Sequence, residues 1–411
     1  MTERDASAPS LEAARVAVIG AGTMGAGIAQ VALEGGWRVS LHDPVPGATD
    51  RALERIRQGL TRRAEKAGTP DPGGDAARRM LALDVQRDLA PAAAGAQLAI
   101  EAVIEDLDLK RRLFGDLGDA VASDALLATN TSALSVTSIA EAATLPERVV
   151  GLHFFNPAPL LPLVEVVAGR ASAPWAVERA AAIVEGWGKT PIRVADAPGF
   201  IVNRVNRPFT LEPLRLLRSG ASSIEAIDAA IVAAGFPMGP FALMDLIGID
   251  VNLAAARGLF EASGRPPRFR PSPIQEELVA AGRLGRKTGE GFYRYLDARA
   301  TGPAPRFASG AGGAGGAGRS GERGIDAASI AERVVLAIVN EAYRAFGDGV
   351  AGQDDIDRAM RLGANHPFGP FEWARRTGIH EVAVMLDALS DEDADTFRPT
   401  LSLLRAARAG M

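Results

Sequence analysis

The sequence contains no cysteine, which excludes disulfides, a thiolate nucleophile and zinc sites built on sulfur ligands. Four histidines are the whole supply of imidazole for metal or acid–base work, and no metal site is expected. Positive charge is not in excess either: 45 Lys and Arg stand against 50 Asp and Glu, a formal charge of -5. No cationic field therefore exists to hold nucleic acid or an anionic membrane, and neither is an expected partner. Long apolar runs are missing as well. Residues 1–14 are polar and Ala-rich, without the apolar stretch of a secretory signal, so the expectation is a short disordered tail on a cytoplasmic protein.

What is present is enough apolar sequence for two or three domains: 411 residues, 47% hydrophobic and 23% charged. Short apolar runs at Arg15–Gly20, Arg38–Asp43, Gln97–Val103, Leu126–Thr129, Val149–His153, Val164–Ala168 and Ile192–Ala195 predict strands. Helical patterns fall between them, notably over Thr23–Gly35, Ala48–Gly68, Lys110–Val121 and Trp175–Gly186. This alternation predicts an α/β domain with a mostly parallel, Rossmann-type sheet over residues 15–197. From Pro198 helical patterns take over. Residues 298–324 are rich in Gly, Ala, Ser, Pro and Arg without apolar periodicity, the composition of a flexible linker. Around it the chain repeats itself. Ile227-Asp228, Met238-Gly239-Pro240-Phe241 and Gly248-Ile249 recur as Ile356-Asp357, Phe368-Gly369-Pro370-Phe371 and Gly378-Ile379. Two tandem all-helical domains, 198–297 and 325–411, are the expectation.

Val16-Ala17-Val18-Ile19 leads into Gly20-Ala21-Gly22-Thr23-Met24-Gly25 and then directly into a helical pattern. In a strand, glycine turn and helix of this kind, Gly20 permits the tight turn and Gly22 lets a pyrophosphate approach. Gly25 allows helix and strand to pack closely, and the amides of the first helical turn, at Thr23 and Met24, face the phosphates. Asp43 ends the next strand about twenty residues on, where a ribose 2′-hydroxyl needs an acceptor and where a 2′-phosphate would be repelled. NAD is therefore the expected cofactor. The bland alternative is a glycine turn that serves packing only.

Removing a proton from a hydroxyl as hydride leaves its carbon calls for a base whose pKa lies near neutrality, and histidine fits. His153 ends an apolar strand, at the edge of the sheet where open α/β proteins bind ligands. Glu165 interrupts the apolar run Leu163-Val164-Glu165-Val166-Val167, a setting in which an unpaired carboxylate is costly, and it is the natural partner to orient the imidazole. A histidine at a strand end and a glutamate facing solvent from an edge strand are the structural alternatives.

From about Arg15 to Tyr295 the chain resembles the 3-hydroxyacyl-CoA dehydrogenase family. The resemblance runs through the glycine turn, Glu101-Ala102-Val103-Ile104-Glu105-Asp106, Thr129-Asn130-Thr131-Ser132, His153-Phe154-Phe155-Asn156-Pro157, Pro198-Gly199-Phe200-Ile201-Val202-Asn203-Arg204 and Gly285-Arg286-Lys287-Thr288-Gly289-Glu290-Gly291-Phe292-Tyr293, in that order. It implies helical domains of the 6-phosphogluconate-dehydrogenase-like type and oxidation of a (3S)-3-hydroxyacyl-CoA. His153 is then the base, Glu165 its partner, and Ser132 and Asn203 hydrogen-bond the substrate oxygens. It also places Glu105, Lys110, Asn130 and Asn156 on the cofactor, and Lys66, with Arg62 beside it, on CoA. Gly59 departs from the serine that some relatives carry. Residues alone leave other readings open: Ser132 as a helix cap, Asn203 in a domain hinge, Glu105 and Lys110 as a surface charge pair, and the basic helix as a solvated face.

One dehydrogenase unit followed by a second helical copy is similar to the long bacterial 3-hydroxyadipyl-CoA dehydrogenases of phenylacetate degradation, whereas single-copy relatives handle 3-hydroxybutyryl-CoA. A dicarboxylic chain needs a distal cation. Arg207, four residues after Asn203, is the expected one, with Arg204 second and an Arg207–Glu212 pair as the structural alternative. The second copy places Glu332-Arg333 over Asn203-Arg204, so it is not a second active site. An internal pseudo-dimer of the helical copies, making the chain a monomer, is expected, with a homodimer as the alternative. Competing classes are a 3-hydroxy-acid or sugar-acid dehydrogenase acting without CoA, and a crystallin-like protein that retains NAD binding.

Overall fold

β-branched and small apolar residues in short runs make strands that can be covered on both faces. In the computed structural model, which describes residues 14–297, 299–308 and 325–409, these runs fill a first unit ending at Asp196; a second begins at Ala197. The first holds β1 (Arg15–Ile19), β2 (Arg38–His42), β3 (Leu83–Gln86), β4 (Leu98–Glu101), β5 (Leu126–Thr129), β6 (Val149–Phe154), β7 (Leu163–Ala168) and β8 (Thr190–Ala195). They form one sheet in the order β3-β2-β1-β4-β5-β6-β7-β8. Neighbours are parallel except β6 and β7, which run antiparallel. The connecting helices are α1 (Thr23–Glu34), α2 (Ala48–Lys66), α3 (Pro72–Met80), α4 (Leu89–Ala93), α5 (Leu107–Ala120), α6 (Val136–Ala140) and α7 (Pro174–Gly186).

The expected strands are all present, and the sheet adds one more. β3 (Leu-Asp-Val-Gln) lies at the edge with its two central residues exposed, so it lacks the apolar run that marks the others. β1 pairs with β2 on one side and β4 on the other. The chain order reverses there, which opens a crevice at the strands' carboxyl ends. The core below it is aliphatic, with Val16, Val18, Ile28, Leu41, Leu98, Ile100, Leu126, Val150 and Val166 fully buried.

The second unit is helical: α8 (Val202–Val205), α9 (Pro208–Ser219), α10 (Ile224–Ala233), α11 (Pro240–Ile247), α12 (Ile249–Ala262) and α13 (Pro273–Ala280), then α14 (Ala327–Gly347), α15 (Gln353–Ala364), α16 (Pro370–Thr377), α17 (Ile379–Ser390), α18 (Ala394–Phe397) and α19 (Leu401–Ala409). The stretch read as a linker is in part ordered: β10 (Arg299–Pro303) pairs antiparallel with β9 (Tyr293–Leu296). Backbone pairing to β9 supplies what its own small side chains do not. Residues 298 and 309–324 of that stretch, and residues 1–13 of the expected tail, lie outside the described residues.

The repeated motif has a physical basis. Buried Asp228 accepts from the amides of Phe241 (2.9 Å) and Ala242 (3.1 Å) at the start of α11. Asp357 does the same for Phe371 (2.7 Å) and Glu372 (2.9 Å) on α16. Each carboxylate satisfies orphan amides at a helix N-terminus where proline occupies the first turn. A Cβ at Gly239 or Gly369 would strike that aspartate, so the motif needs glycine before the proline.

The two copies pack on each other: α9 and α10 lie against α14, and α15 packs on α8. Charged pairs cross the seam reciprocally. Arg204 of the first copy bonds Glu341 of the second (2.7 Å), and Arg333 of the second bonds Glu212 of the first. Arg204 and Glu212 stand at the same spacing as Arg333 and Glu341, so one contact is made twice, as in an isologous interface.

Candidate active site

The glycine turn leaves β1 at the crevice. Gly20 adopts φ +104°, and a Cβ there would meet the Ala102 carbonyl at 2.6 Å. A Cβ on Gly25 would fall inside the Gly20 carbonyl, whereas one on Gly22 would meet nothing within 4 Å. Gly20 and Gly25 are thus demanded by backbone packing. Gly22 instead leaves open space before α1, whose N-cap lacks a side-chain hydrogen bond. Free amides beside an open approach form a cradle for a pyrophosphate, so the residues present fit a dinucleotide. Thr23 is exposed and Met24 half-buried. Asp43 accepts from Ala21 N (2.7 Å) and Val45 N (2.8 Å); it shapes the turn, and lone pairs remain for a ribose hydroxyl.

Beneath this crevice lies an ion network. Lys110 is buried, with Nζ donating to Glu101 Oε1 at 2.7 Å and 3.1 Å from Glu105 Oε2. The surface-pair alternative for Glu105 and Lys110 is therefore overturned: the lysine is 1% exposed, and it lies beside two carboxylates. Burial raises the Glu105 pKa. Lys110, the Thr131 hydroxyl and the Ser132 amide outweigh that effect and hold it below the usual carboxylate range. Glu105 Oε1 accepts from Thr131 Oγ1 (2.6 Å), Ser132 N (2.9 Å) and Ala133 N (3.0 Å). The loop that carries Ser132 is thereby tied down. Glu101, Thr131 and Asp196 were not singled out from sequence. Asp196 binds Ser135 Oγ and the amides of Val136 and Thr137, and Ser135, not Ser132, caps α6.

His153 and Glu165 face each other because the antiparallel register of β6 and β7 puts them opposite. His153 Nδ1 lies 2.6 Å from Glu165 Oε2, with the histidine 5% exposed and the glutamate fully buried. The edge-strand alternative for Glu165 is excluded by that burial and by β8 beyond it. With Nδ1–H donating to the carboxylate, Nε2 carries the lone pair. Phe155 stacks obliquely 4.5 Å from the imidazole. Asn130 Oδ1 accepts from Phe154 N (2.9 Å) and pins the strand end beside His153. Lys189 Nζ gathers the carbonyls of Ala158 (2.6 Å), Pro159 (3.2 Å) and Leu161 (2.9 Å) in the loop joining the two strands. Burial pulls its pKa down to about 8.

Ser132 and Asn156 are exposed, and Arg62 and Lys66 are exposed on α2. At Gly59 an added Cβ would meet the amide end of the Gln30 side chain. In the second unit, Asn203 stands half-buried on α8. Arg204 is committed to Glu341 and Asp348, which removes it as a second receptor for a distal carboxylate. Arg207 is buried and does not pair with Glu212, which is taken by Arg333 and Arg215. Among the described residues no cluster of His, Asp and Glu could hold a metal, and no helix is long and apolar enough to cross a membrane.

Comparison with known proteins agrees with this geometry. The model of the 3-hydroxyacyl-CoA dehydrogenase NAD-binding domain matches residues 15–197, and that of the C-terminal domain matches 199–295 and again 330–410. The 3-hydroxyadipyl-CoA dehydrogenase of Escherichia coli K12 is 37% identical over 95% of this chain and 96% of its own. The mitochondrial hydroxyacyl-coenzyme A dehydrogenase of Sus scrofa is 40% identical over 71% of this chain and 94% of its own. The crystal structure of 3-hydroxybutyryl-CoA dehydrogenase from Escherichia coli K12 superposes with a TM-score of 0.84 at 35% identity, covering 97% of this chain and 99% of that one. A glycine cradle for a dinucleotide, a buried histidine–glutamate pair and family matches over both units lead to one assignment: the chain belongs to the 3-hydroxyacyl-CoA dehydrogenase family.

Proposed function

We propose that His153 takes the proton from the 3-hydroxyl of a (3S)-3-hydroxyacyl-CoA while C3 loses its hydride, so that the product is the 3-oxoacyl-CoA. The observation that carries this reading is the buried 2.6 Å contact between His153 Nδ1 and Glu165 Oε2. A carboxylate in that place fixes the tautomer with Nε2 unprotonated and stabilises the imidazolium once it forms. NAD, when bound, supplies the hydride acceptor. Gly20, Gly22, Thr23, Met24 and Gly25 hold its phosphates and Asp43 its ribose, with Glu105, Lys110, Asn130 and Asn156 on the nicotinamide side. Ser132 and Asn203 are neutral donors for the thioester or 3-oxo oxygen as charge gathers there. Arg62 and Lys66 meet the phosphates of CoA.

The substrate we favour is 3-hydroxyadipyl-CoA, the compound named for the Escherichia coli relative that matches nearly the whole length. 3-Hydroxybutyryl-CoA, named for a solved structure that also covers nearly the whole chain, is the second reading. We further propose that the chain is a monomer whose two helical copies act as an internal dimer, supported by the reciprocal Arg204–Glu341 and Arg333–Glu212 pairs.

Reduction of acetoacetyl-CoA, followed by loss of NADH absorbance, tests the catalytic assignment. His153→Asn is expected to lower kcat by roughly 10²- to 10⁴-fold, the usual contribution of a positioned base, and Glu165→Gln by about 10²-fold or more. NADH affinity, titrated by fluorescence, should be unchanged in both. A His153→Asn enzyme with near-normal kcat would exclude the histidine as the base.

A further inference from the structure

Three arginines are buried in the second unit: Arg204, Arg207 and Arg333. Arg204 meets Glu341 and Asp348, and Arg333 meets Glu212 and Glu392. Arg207 is different. It is 6% exposed and makes no ion pair among the described residues, and its Nε has no hydrogen-bond partner. Burial alone acts on it, drawing its pKa down to about 10. A guanidinium kept in such a place without an anion is costly, and an apolar side chain of similar volume would pack there without that cost.

Its position in the chain says which anion it can meet. Asn206 (φ -81°, ψ -5°) and Arg207 (φ -60°, ψ -40°) keep helical torsions between α8 and α9. Arg207 therefore follows Asn203 by one turn on the same face, about 6 Å further along the axis. The turn is held from both sides: Asn206 Oδ1 accepts from His366 Nε2 at 2.8 Å, and Pro208 opens α9. A charged fork is thus fixed one turn beyond the amide assigned to the substrate oxygens.

We propose that Arg207 receives a carboxylate at the far end of the acyl chain, so that it selects dicarboxylic over monocarboxylic 3-hydroxyacyl-CoA substrates. The proposal rests on the reading of Asn203 as a substrate contact. A bidentate guanidinium–carboxylate pair shielded from water discriminates strongly, because the monocarboxylic analogue leaves the arginine unpaired. The phosphates of CoA are the other anion that could reach it, and the experiment separates the two.

The test compares kcat/KM for 3-hydroxyadipyl-CoA and 3-hydroxyhexanoyl-CoA, chains of equal length that differ in the terminal carboxylate. The wild type is expected to favour the dicarboxylic substrate. In Arg207→Met the ratio of the two constants falls roughly 30- to 1,000-fold, and Arg207→Lys recovers only part of it, since a point charge lacks the fork. A parallel loss on both substrates would assign the arginine to CoA and overturn the proposal; so would an unchanged ratio. Should the variant fail to fold, adipyl-CoA and hexanoyl-CoA as inhibitors of the wild type decide the matter, and equal inhibition constants overturn it. A wild type inactive on both thioesters would instead count against the dehydrogenase reading itself.

Discussion

Lowering the pH from 7 to 5 should weaken the helical unit by way of His366. The imidazole is buried, with Phe236 edge-on at 5.0 Å and Phe209 tilted at 5.9 Å, and its polar contact is Nε2–H donating to Asn206 Oδ1. No charged group contributes to its titration, and burial lowers its pKa to about 3. In the unfolded chain the ring protonates as the pH falls through about 6.5. Between those values the unfolded state binds a proton that the folded state refuses, so the stability present above pH 6.5 is lost on acidification. The slope is about 1.4 kcal/mol per pH unit. Integrated from pH 7 to 5, the loss is about 2 kcal/mol. Urea unfolding of the wild type and His366→Gln at both pH values measures it, because glutamine can donate to Asn206 but does not titrate. The stability difference between the two proteins should shrink by about 2 kcal/mol at pH 5. Parallel losses in both would refute the argument and show that His366 titrates normally in the fold.

Lys110→Met should lower stability by about 3–5 kcal/mol, because it strands Glu101 in the core; thermal melting checks this, and Glu101→Gln in the same chain should recover most of the loss. The wild type should sediment with the mass of one chain, and a dimer that persists down to nanomolar concentration would refute the internal-dimer reading. Glu212→Gln should cost about 3–5 kcal/mol by leaving Arg333 and Arg215 without their buried partner, while Glu212→Leu with Arg333→Met should lie closer to wild type. An additive double mutant would mean that the seam pair contributes nothing as a pair.

Much of the site could be read in the residues, and where reading failed the cause was distance along the chain. Glu165 stood out as a carboxylate in an apolar strand, but what brings it to His153 is the antiparallel register of β6 and β7, which composition does not reveal. The same rule applied to Glu101, at the end of the apolar Leu98-Ala99-Ile100, would have found the network that buries Lys110. The partners of Arg204 and Arg333 lie in the other helical copy, beyond any local pattern, and the local Arg207–Glu212 pair that the spacing allows does not form because Arg333 and Arg215 take Glu212. β3 and β10 were missed for a related reason: neither has an apolar run, and each exists because a neighbouring strand offers a free edge.

Selection on the second helical copy is best judged by what it has kept. Its capping aspartate, its glycine before proline and its arginine–glutamate contact repeat the first copy bond for bond. The position matching Asn203, however, holds Glu332, an exposed carboxylate that cannot polarise an oxygen on which negative charge is developing. Phe236 likewise faces His366 where strict symmetry would set like against like. The contacts that hold the copies together have stayed symmetric, and those near the turn carrying Asn203 and Arg207 have diverged. A homodimer cannot diverge in this way, because every substitution appears on both sides of its axis. Fusing the two copies in one chain removes that constraint: one copy can keep Asn203, the amide proposed for the substrate oxygens, while the other, through the bond of its His366 to Asn206, is free to specialise in fixing the turn that carries Arg207.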